Sequence, residues 1–363
     1  MSRRMIFATG VFALSFSLAA CAADVPGDDE QETVSQGEAL EAYFGLVSDF
    51  PGSLSSDVEA LVAENSQAEQ FVPEFSSRID AAESSGLVDK ASFTLNYDYA
   101  AAQEDNDERV IDEVSLCLDR SSYPLASRED FCFIFSEFEF VEGRLVGFET
   151  KGDPIHGQIV LAYFGSIAKA QPDDIEKARE LAAEGSPAES YAIQQSHVAQ
   201  ADLDSGNFDP YVVELDFENG VILLDFSAEY SDFVFENNQL VNFSAGDTMV
   251  DERLSLYNEE ELEIGRIGSL RVLSAYESIS GSLYVTVEVT SDTSVLYIPF
   301  NATYIAPNGR AMDETWSVQP FELRNERVAN AYWIFSGGRV GGELELRFND
   351  QNWREVVVTV PVP

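Results

Sequence analysis

The chain has 363 residues, with 65 Asp and Glu, 21 Lys and Arg and two His, which gives a formal net charge of −44. A chain this acidic repels phosphate, so a nucleic-acid-binding protein is excluded. The length predicts two or three domains, and 45% apolar residues are enough to build packed cores.

The first 20 residues have the features of an export signal. A short basic segment, Ser2–Arg4, precedes an apolar run of 16 residues from Met5 to Ala20. Such a run is too short for a membrane span, which needs about 20 residues, but it fits the apolar region of a signal peptide. The run ends in Leu18-Ala19-Ala20-Cys21, and this ending resembles the lipobox of bacterial lipoproteins.

The resemblance implies that residues 1–20 are removed and that Cys21 receives a lipid, which anchors the protein to the extracytoplasmic face of the bacterial membrane. The alternative is an ordinary signal peptide followed by an unrelated cysteine. Arg3-Arg4 fits both the general secretory and the twin-arginine export routes. Residues 21–37 are acidic and lack apolar periodicity, which predicts a disordered tether.

Cys117 and Cys132 remain once Cys21 is lipidated, and outside the cytoplasm two such thiols can oxidise. Both lie in alternating apolar runs that flank the polar segment 119–130. We therefore predict a disulfide across a hairpin, which closes a loop of about 15 residues and stabilises the fold by roughly 3 kcal/mol. The alternative is a pair of buried free thiols.

Three motifs recur with an offset of 120 residues, which indicates an internal repeat. The pairs are Tyr43-Phe44-Gly45 with Tyr163-Phe164-Gly165, Leu61–Glu69 with Leu181–Glu189, and Ser84-Ser85-Gly86 with Asp204-Ser205-Gly206. Ser66 and Ser186 begin helix capping boxes, and Gly86 and Gly206 occupy helix C-terminal positions. Each copy is therefore predicted to open with one or two short helices.

Strands are predicted to follow the helices in both copies. Hairpin turns are indicated at Glu142-Gly143 in the first copy and at Asn219-Gly220 and Asn237-Asn238 in the second. Each copy, 38–158 and 159–263, is thus predicted to pack helices on an antiparallel sheet, an α+β fold.

Residues 264–363 differ in composition from the rest of the chain. They contain 8 basic and 11 acidic residues, a net charge of −3, whereas residues 21–263 carry −43; they also contain all three Trp. Short alternating strands separated by Pro307-Asn308-Gly309 and Gly337-Gly338 predict an all-β sandwich.

This segment resembles the immunoglobulin-like domain of unknown function found at the C-terminus of many Gram-positive lipoproteins. The resemblance lies in the order of Leu283–Val289, Ala306–Gly309, Val328–Phe335 and Gly342–Leu346. It implies an accessory extracellular module without catalytic residues.

The candidate ligand-binding residues are few. Asp202, Asp204 and Asp209 have the alternating carboxylates of a calcium loop, but the further Asp or Asn that precedes the Gly in such loops is missing. A solvated helix end is the alternative, as it is for the acidic run 104–108. His156 and His197 lack a Cys or a second His at zinc-binding spacing. We therefore predict neither a bound metal nor a cofactor.

The first functional hypothesis is a non-catalytic, membrane-anchored surface lipoprotein that acts in protein interaction or envelope architecture, with a protein partner at the envelope. The second is a solute- or cation-binding lipoprotein whose site lies between the two copies, because duplicated folds often bind ligands there. The third is a secreted hydrolase that uses carboxylates alone, which 65 acidic residues leave open.

Overall fold

The structure is a computed structural model that describes residues 35–50, 56–90, 93–96, 111–118, 132–206, 213–216, 221–224, 228–257 and 261–362. Several features predicted above lie outside these ranges: Cys21, most of the tether, the acidic run 104–108, the segment 119–130, Asp209 and the turn at Asn219-Gly220.

The N-terminal part of the described chain is a first helix–sheet unit. Its elements are α1 (Gln36–Ser48), α2 (Ser56–Leu61), α3 (Gln67–Ser84), β1 (Phe93–Asn96), β2 (Glu113–Leu118), β3 (Cys132–Val141) and β4 (Arg144–Lys151). The four strands form one sheet in the order β1-β2-β3-β4.

A second helix–sheet unit repeats this order of elements. It consists of α4 (Pro154–Ala168), α5 (Pro172–Leu181), α6 (Pro187–Ser205), β5 (Val213–Asp216), β6 (Val221–Leu224), β7 (Ala228–Glu236), β8 (Gln239–Ala245) and β9 (Thr248–Met249). Its five strands are also ordered sequentially. Each of the three helices begins with Pro, whose fixed φ and missing N–H suit the first helical position.

A short 3₁₀ helix (Val250–Glu252) leads into a two-sheet unit. One sheet contains β10 (Leu254–Leu256), β11 (Leu262–Glu263), β12 (Gly268–Glu277), β13 (Ser282–Ser291), β17 (Trp316–Val318) and β19 (Val328–Ser336). The other contains β14 (Leu296–Tyr297), β15 (Ala302–Ile305), β16 (Ala311–Asp313), β18 (Glu322–Leu323), β20 (Gly342–Asp350) and β21 (Glu355–Val362). Alternate residues of both sheets, among them Val285, Val287, Leu344 and Leu346, meet in one buried core.

The fold thus combines helices with antiparallel sheets, which confirms the predicted α+β class. The described hairpin turns also form as predicted. Glu142 and Gly143 have φ values of 51° and 76°, and Asn237 and Asn238 have values of 49° and 59°. Two left-handed residues in succession give the turn geometry that matches the twist of the flanking strands.

The two helix–sheet units share specific contacts at positions 120 residues apart. The Tyr43 hydroxyl donates to the carbonyl of Ala68, and the Tyr163 hydroxyl donates to that of Ala188, each at 2.7 Å. Both hydroxyls are buried. The hydrogen bonds fix the first helix of each unit to the start of its third helix.

The serine caps are also equivalent in the two units. Ser66 and Ser186 each accept a hydrogen bond from the backbone N–H of the glutamate three residues later. The carboxylates of Glu69 and Glu189 accept hydrogen bonds from the N–H of the residue before each serine, at 2.5 and 2.7 Å, rather than from the N–H of the serine itself. The expected capping boxes are therefore displaced by one residue on the glutamate side.

Three of the expected domain boundaries differ from the ends of the elements. The tether was expected to end at residue 37, but α1 begins at Gln36 because Ser35 caps it. The boundary at 158/159 falls inside α4, which begins at Pro154 because the Asp153 side chain caps its first turn. The boundary at 263/264 follows β10 and β11, although both strands pair with β12 of the two-sheet unit.

Candidate functional site

The third helix of each helix–sheet unit contacts the unit that follows it in the chain, through packed side chains for α6 and through Arg78 for α3. On α6, Val198 and Ala201 form a small buried cluster with Val318 and Tyr332 of the two-sheet unit. The helix lies against β19 and β12. This apolar contact joins the second helix–sheet unit to the two-sheet unit.

Asp202 and Asp204 strengthen this contact. One carboxylate oxygen of Asp204 accepts the backbone N–H of Asn330 at 2.8 Å, and Asp202 accepts the hydroxyl of Tyr332 at 3.2 Å. The side-chain amide of Asn330 also donates to the carbonyl of His197 at 3.3 Å. The two carboxylates that sequence spacing likened to a calcium loop therefore hold strand β19 instead.

A group of buried tyrosines extends from the second helix–sheet unit into the same interface. The hydroxyls of Tyr191 and Tyr230 are 2.7 Å apart, and the ring of Tyr191 contacts that of Tyr276 at 5.6 Å. Tyr284 continues the series at 6.4 Å from Tyr276. Burial raises the pKa of all four phenols, so they remain neutral at physiological pH.

The equivalent face of α3 contacts the second helix–sheet unit. Arg78, which is 120 residues before Val198, donates from Nε and one terminal nitrogen to the side-chain oxygen of Asn238 at 3.2 and 2.9 Å. The same nitrogen is 2.5 Å from a carboxylate oxygen of Asp153. The guanidinium also lies 6.0 Å from the ring centre of Phe133. At this position of α3, polar contacts of Arg78 therefore replace the apolar packing of Val198 on α6.

A groove of about 490 Å³ follows this contact between the two helix–sheet units. Its lining consists of Glu74, Ser77, Arg78, Ala81, His156, Phe235, Asn237 and Asn238. The volume is within the range of small-molecule sites. The groove occupies the place where the sequence predicted a site for the second functional hypothesis, and it is the candidate site for a small ligand.

His156 contributes an imidazole to the lining of this groove. Its ring stacks on Phe235 at 3.9 Å, with 3° between the planes, and its Nδ1 lies 3.3 Å from Asp153. Burial lowers the pKa of His156, and Arg78 lowers it further, against the opposing effect of Asp153. The imidazole is therefore neutral at pH 7. Asp153 already neutralises Arg78, so the groove presents amides, a hydroxyl, a flat ring stack and the exposed carboxylate of Glu74. These groups suit a polar solute that donates hydrogen bonds.

The other predicted residues are distributed across the structure. Cys117 and Cys132 face each other on β2 and β3 with their sulfur atoms at disulfide-bonding distance, as predicted. His197 lies on α6, and burial lowers its pKa to about 4. Cys21, the lipidation candidate, lies outside the described residues. Within the described ranges, no group of three or more His, Cys, Asp or Glu is arranged to hold a metal ion.

Ser166 and Lys169 have the Ser-x-x-Lys spacing of one class of serine hydrolases. In the structure Ser166 is buried, whereas the Lys169 side chain is 56% exposed and its ammonium lies 3.2 Å from Asp174. The lysine is paired with a surface carboxylate, so the motif does not form a nucleophile–base pair here.

Arg78 and Asn238 were not among the predicted site residues. They are 160 residues apart in the chain, so no local pattern connects them. The repeat offset is the signal that identifies Arg78, because it places a charged side chain where the second copy has the buried Val198.

Comparison with known proteins found no family model, no curated protein and no solved structure that matches this chain. Among the helices of the described ranges, none combines the length and the apolar character needed to cross a membrane.

Proposed function

We propose that the protein is a non-catalytic lipoprotein, anchored through a lipid on Cys21 to the extracytoplasmic face of a bacterial membrane and acting in protein interaction or envelope architecture. The two helix–sheet units, residues 36–151 and 154–249, are two copies of one α+β unit. The two-sheet unit, from β10 onward, is an immunoglobulin-like module. The N-terminal sequence supports the anchor, and the two antiparallel sheets around one core support the module.

The observation that carries this proposal is the repeated use of the third helix as a docking face. Positions 78 and 81 on α3 and positions 198 and 201 on α6 are offset by 120 residues, and each pair faces the next unit. Such a series of contacts holds successive units in fixed order. A surface protein that presents its last unit to a partner requires this kind of support.

The anchor is tested by membrane fractionation of bacteria that express the chain with Cys21 or with Cys21→Ala. The unchanged chain should sediment with membranes and dissolve in detergent, because two or three acyl chains give stable attachment. Cys21→Ala should appear in the soluble fraction. A double variant, Cys117→Ala with Cys132→Ala, is the matched cysteine control and should remain with the membranes. Sedimentation of Cys21→Ala with the membranes would contradict the proposal.

A second function, binding of a small solute, is favoured by the groove between the helix–sheet units. Thermal unfolding of residues 22–363 in the presence of calcium, amino acids, or mono- and disaccharides tests it. A ligand at 100 times its Kd should add about 2.7 kcal/mol of stability. The shift should be lost with His156→Ala, which removes one face of the ring stack. Unchanged midpoints throughout the panel would reject this function.

A further inference from the structure

Four aromatic side chains form an exposed strip on the two-sheet unit. The aromatic strip consists of Tyr297, Phe300, Phe321 and Trp353, and three of them are more than half exposed: Trp353 at 64%, Phe300 at 53% and Phe321 at 52%. Neighbouring rings contact one another, with centres 4.6 Å apart for Tyr297 and Trp353, 5.3 Å for Tyr297 and Phe321, and 5.9 Å for Phe300 and Phe321. Contiguous exposed aromatic surface of this kind marks a binding site.

The backbone of Trp353 gives an independent indication. Its φ is 60°, in the left-handed region that glycine favours and that bulky residues rarely adopt. The turn is otherwise well formed, since Asp350 accepts hydrogen bonds from the N–H of Trp353 and, through its side chain, from Asn352 and Arg354. A glycine would suit this position better for folding. The chain instead places a large exposed ring there, and strain retained at a surface residue points to a function.

The Trp353 ring is nearly parallel to that of Tyr297, whereas Phe321 is tilted by 58° to Tyr297, and hydrogen-bonding groups border the strip. Tyr297 stacks on Trp353 with 9° between the planes. Gln351, two residues before Trp353, accepts a hydrogen bond from the Ser294 hydroxyl at 2.6 Å. Glu322, the cross-strand partner of Tyr297, is ion-paired with Arg324 at 2.5 Å. The strip therefore offers apolar ring faces with an amide and a carboxylate–guanidinium pair at its border.

The distribution of charge along the chain indicates which class of ligand the aromatic strip can bind. Residues 264–363 carry a net charge of −3, against −43 for residues 21–263. A cationic partner would be attracted to the acidic units rather than to this one, and an anionic polymer or lipid surface would be repelled by the chain as a whole. The nearly neutral two-sheet unit of this acidic chain therefore favours an uncharged ligand.

We propose that the aromatic strip binds a neutral polysaccharide. Sugar rings present C–H groups on their flat faces, which pack on the electron-rich faces of aromatic rings, and their hydroxyls hydrogen-bond to amides and carboxylates. This proposal rests on the proposed function in one respect, because the strip meets extracellular polysaccharide only if the chain is exported. The saccharide is then the partner that the last unit contacts.

Native gel electrophoresis of residues 22–363 tests the strip. Separate gels contain hydroxyethyl cellulose, yeast mannan, dextran or soluble starch, and retardation measures affinity. We expect retardation in at least one gel and a loss of affinity of about tenfold or more in Trp353→Gly, which removes the open ring face. Because glycine suits the left-handed backbone, this variant should unfold at the same temperature as the unchanged chain or higher.

Val141→Ala is the control, since Val141 is an apolar residue that is 57% exposed and lies on β3 of the first helix–sheet unit. It should bind like the unchanged chain. Migration unaffected by all four polysaccharides, or equal retardation of Trp353→Gly and the unchanged chain, would overturn the proposal. So would Trp353-dependent binding to polylysine or to phosphatidylcholine vesicles in place of polysaccharide. None of these outcomes involves Cys21, so the membrane anchor is judged separately.

Discussion

Replacing Asp204 with Ala tests whether the third helix of the second helix–sheet unit supports the two-sheet unit. One oxygen of Asp204 accepts the backbone N–H of Asn330 at 2.8 Å, and the other accepts the side-chain amide of Gln200 at the same distance. Asn330 is only 7% exposed. Asp204→Ala therefore leaves a buried strand N–H without its acceptor.

The expected loss follows from the burial of that N–H. A buried donor that loses its partner costs about 1–3 kcal/mol, and the bond to a charged acceptor places Asp204 in the upper half of this range. We expect Asp204→Ala to lower the free energy of unfolding by about 2–3 kcal/mol. Asp204→Asn keeps an oxygen acceptor, so its loss should be about half as large.

Urea unfolding followed by tryptophan fluorescence is the appropriate assay, because all three Trp belong to the two-sheet unit. Ser84→Ala is the matched control: it changes the equivalent position on α3, which is exposed, and should leave the unfolding curve unchanged. An Asp204→Ala curve that coincides with the control would refute the supporting role. Stabilisation by calcium that requires Asp204 would restore the cation-site interpretation in its place.

Three further predictions concern other parts of the fold. Burial lowers the pKa of His197 from 6.5 to about 4, so the unfolded chain binds a proton at higher pH than the folded chain does. The free energy of unfolding should therefore fall, by at most about 3 kcal/mol, as the pH decreases from 6.5 to 4. His197→Gln should remove that part of the pH dependence measured by urea unfolding. Tyr43→Phe and Tyr163→Phe should each lower the free energy of unfolding by about 1 kcal/mol, because each loses one buried hydrogen bond of 2.7 Å. Reduction of the Cys117–Cys132 bond, which spans 15 residues, should destabilise the chain by about 3 kcal/mol in urea unfolding with and without dithiothreitol.

Each of these predictions has a clear contrary result. An unchanged pH profile in His197→Gln would show that the folded state already accommodates the charged imidazole. A loss in Tyr43→Phe that Tyr163→Phe does not share would contradict the equivalence of the two helix–sheet units. Identical unfolding with and without reductant, in the absence of a free-thiol signal in the oxidised protein, would contradict the loop-closure estimate.

Local signals in the sequence predicted the turns and caps. Glu142-Gly143 and Asn237-Asn238 form the expected hairpins, since Gly and Asn tolerate left-handed backbone better than most residues; Glu142 adopts it although its residue type does not favour it. Gly206 ends α6 in the left-handed conformation, as its position indicated. The start of α4 was less evident, although Asp153 followed by Pro154 is a typical helix beginning. His156 consequently lies in the first turn of this helix.

Contacts between distant residues could not be predicted from local patterns. Arg78 meets Asp153 across 75 residues of sequence, and Asp204 meets Asn330 across 126. The spacing of Asp202 and Asp204 is compatible with a shared cation. The sequence pattern of two carboxylates beside a glycine is identical whether they face solvent or another strand. The repeat offset predicts only that equivalent helix faces exist. Which unit covers each face is decided by tertiary packing.

The intact mass of the protein, extracted from bacterial membranes with detergent, tests the proposed lipid anchor. We expect a chain that begins at Cys21 and carries the added mass of a diacylglycerol, with or without a further acyl chain on its amino group. Fragmentation should locate the lipid on Cys21. A chain that retains residues 1–20, begins at another residue, or has an unmodified Cys21 would show that the protein is not anchored in this way.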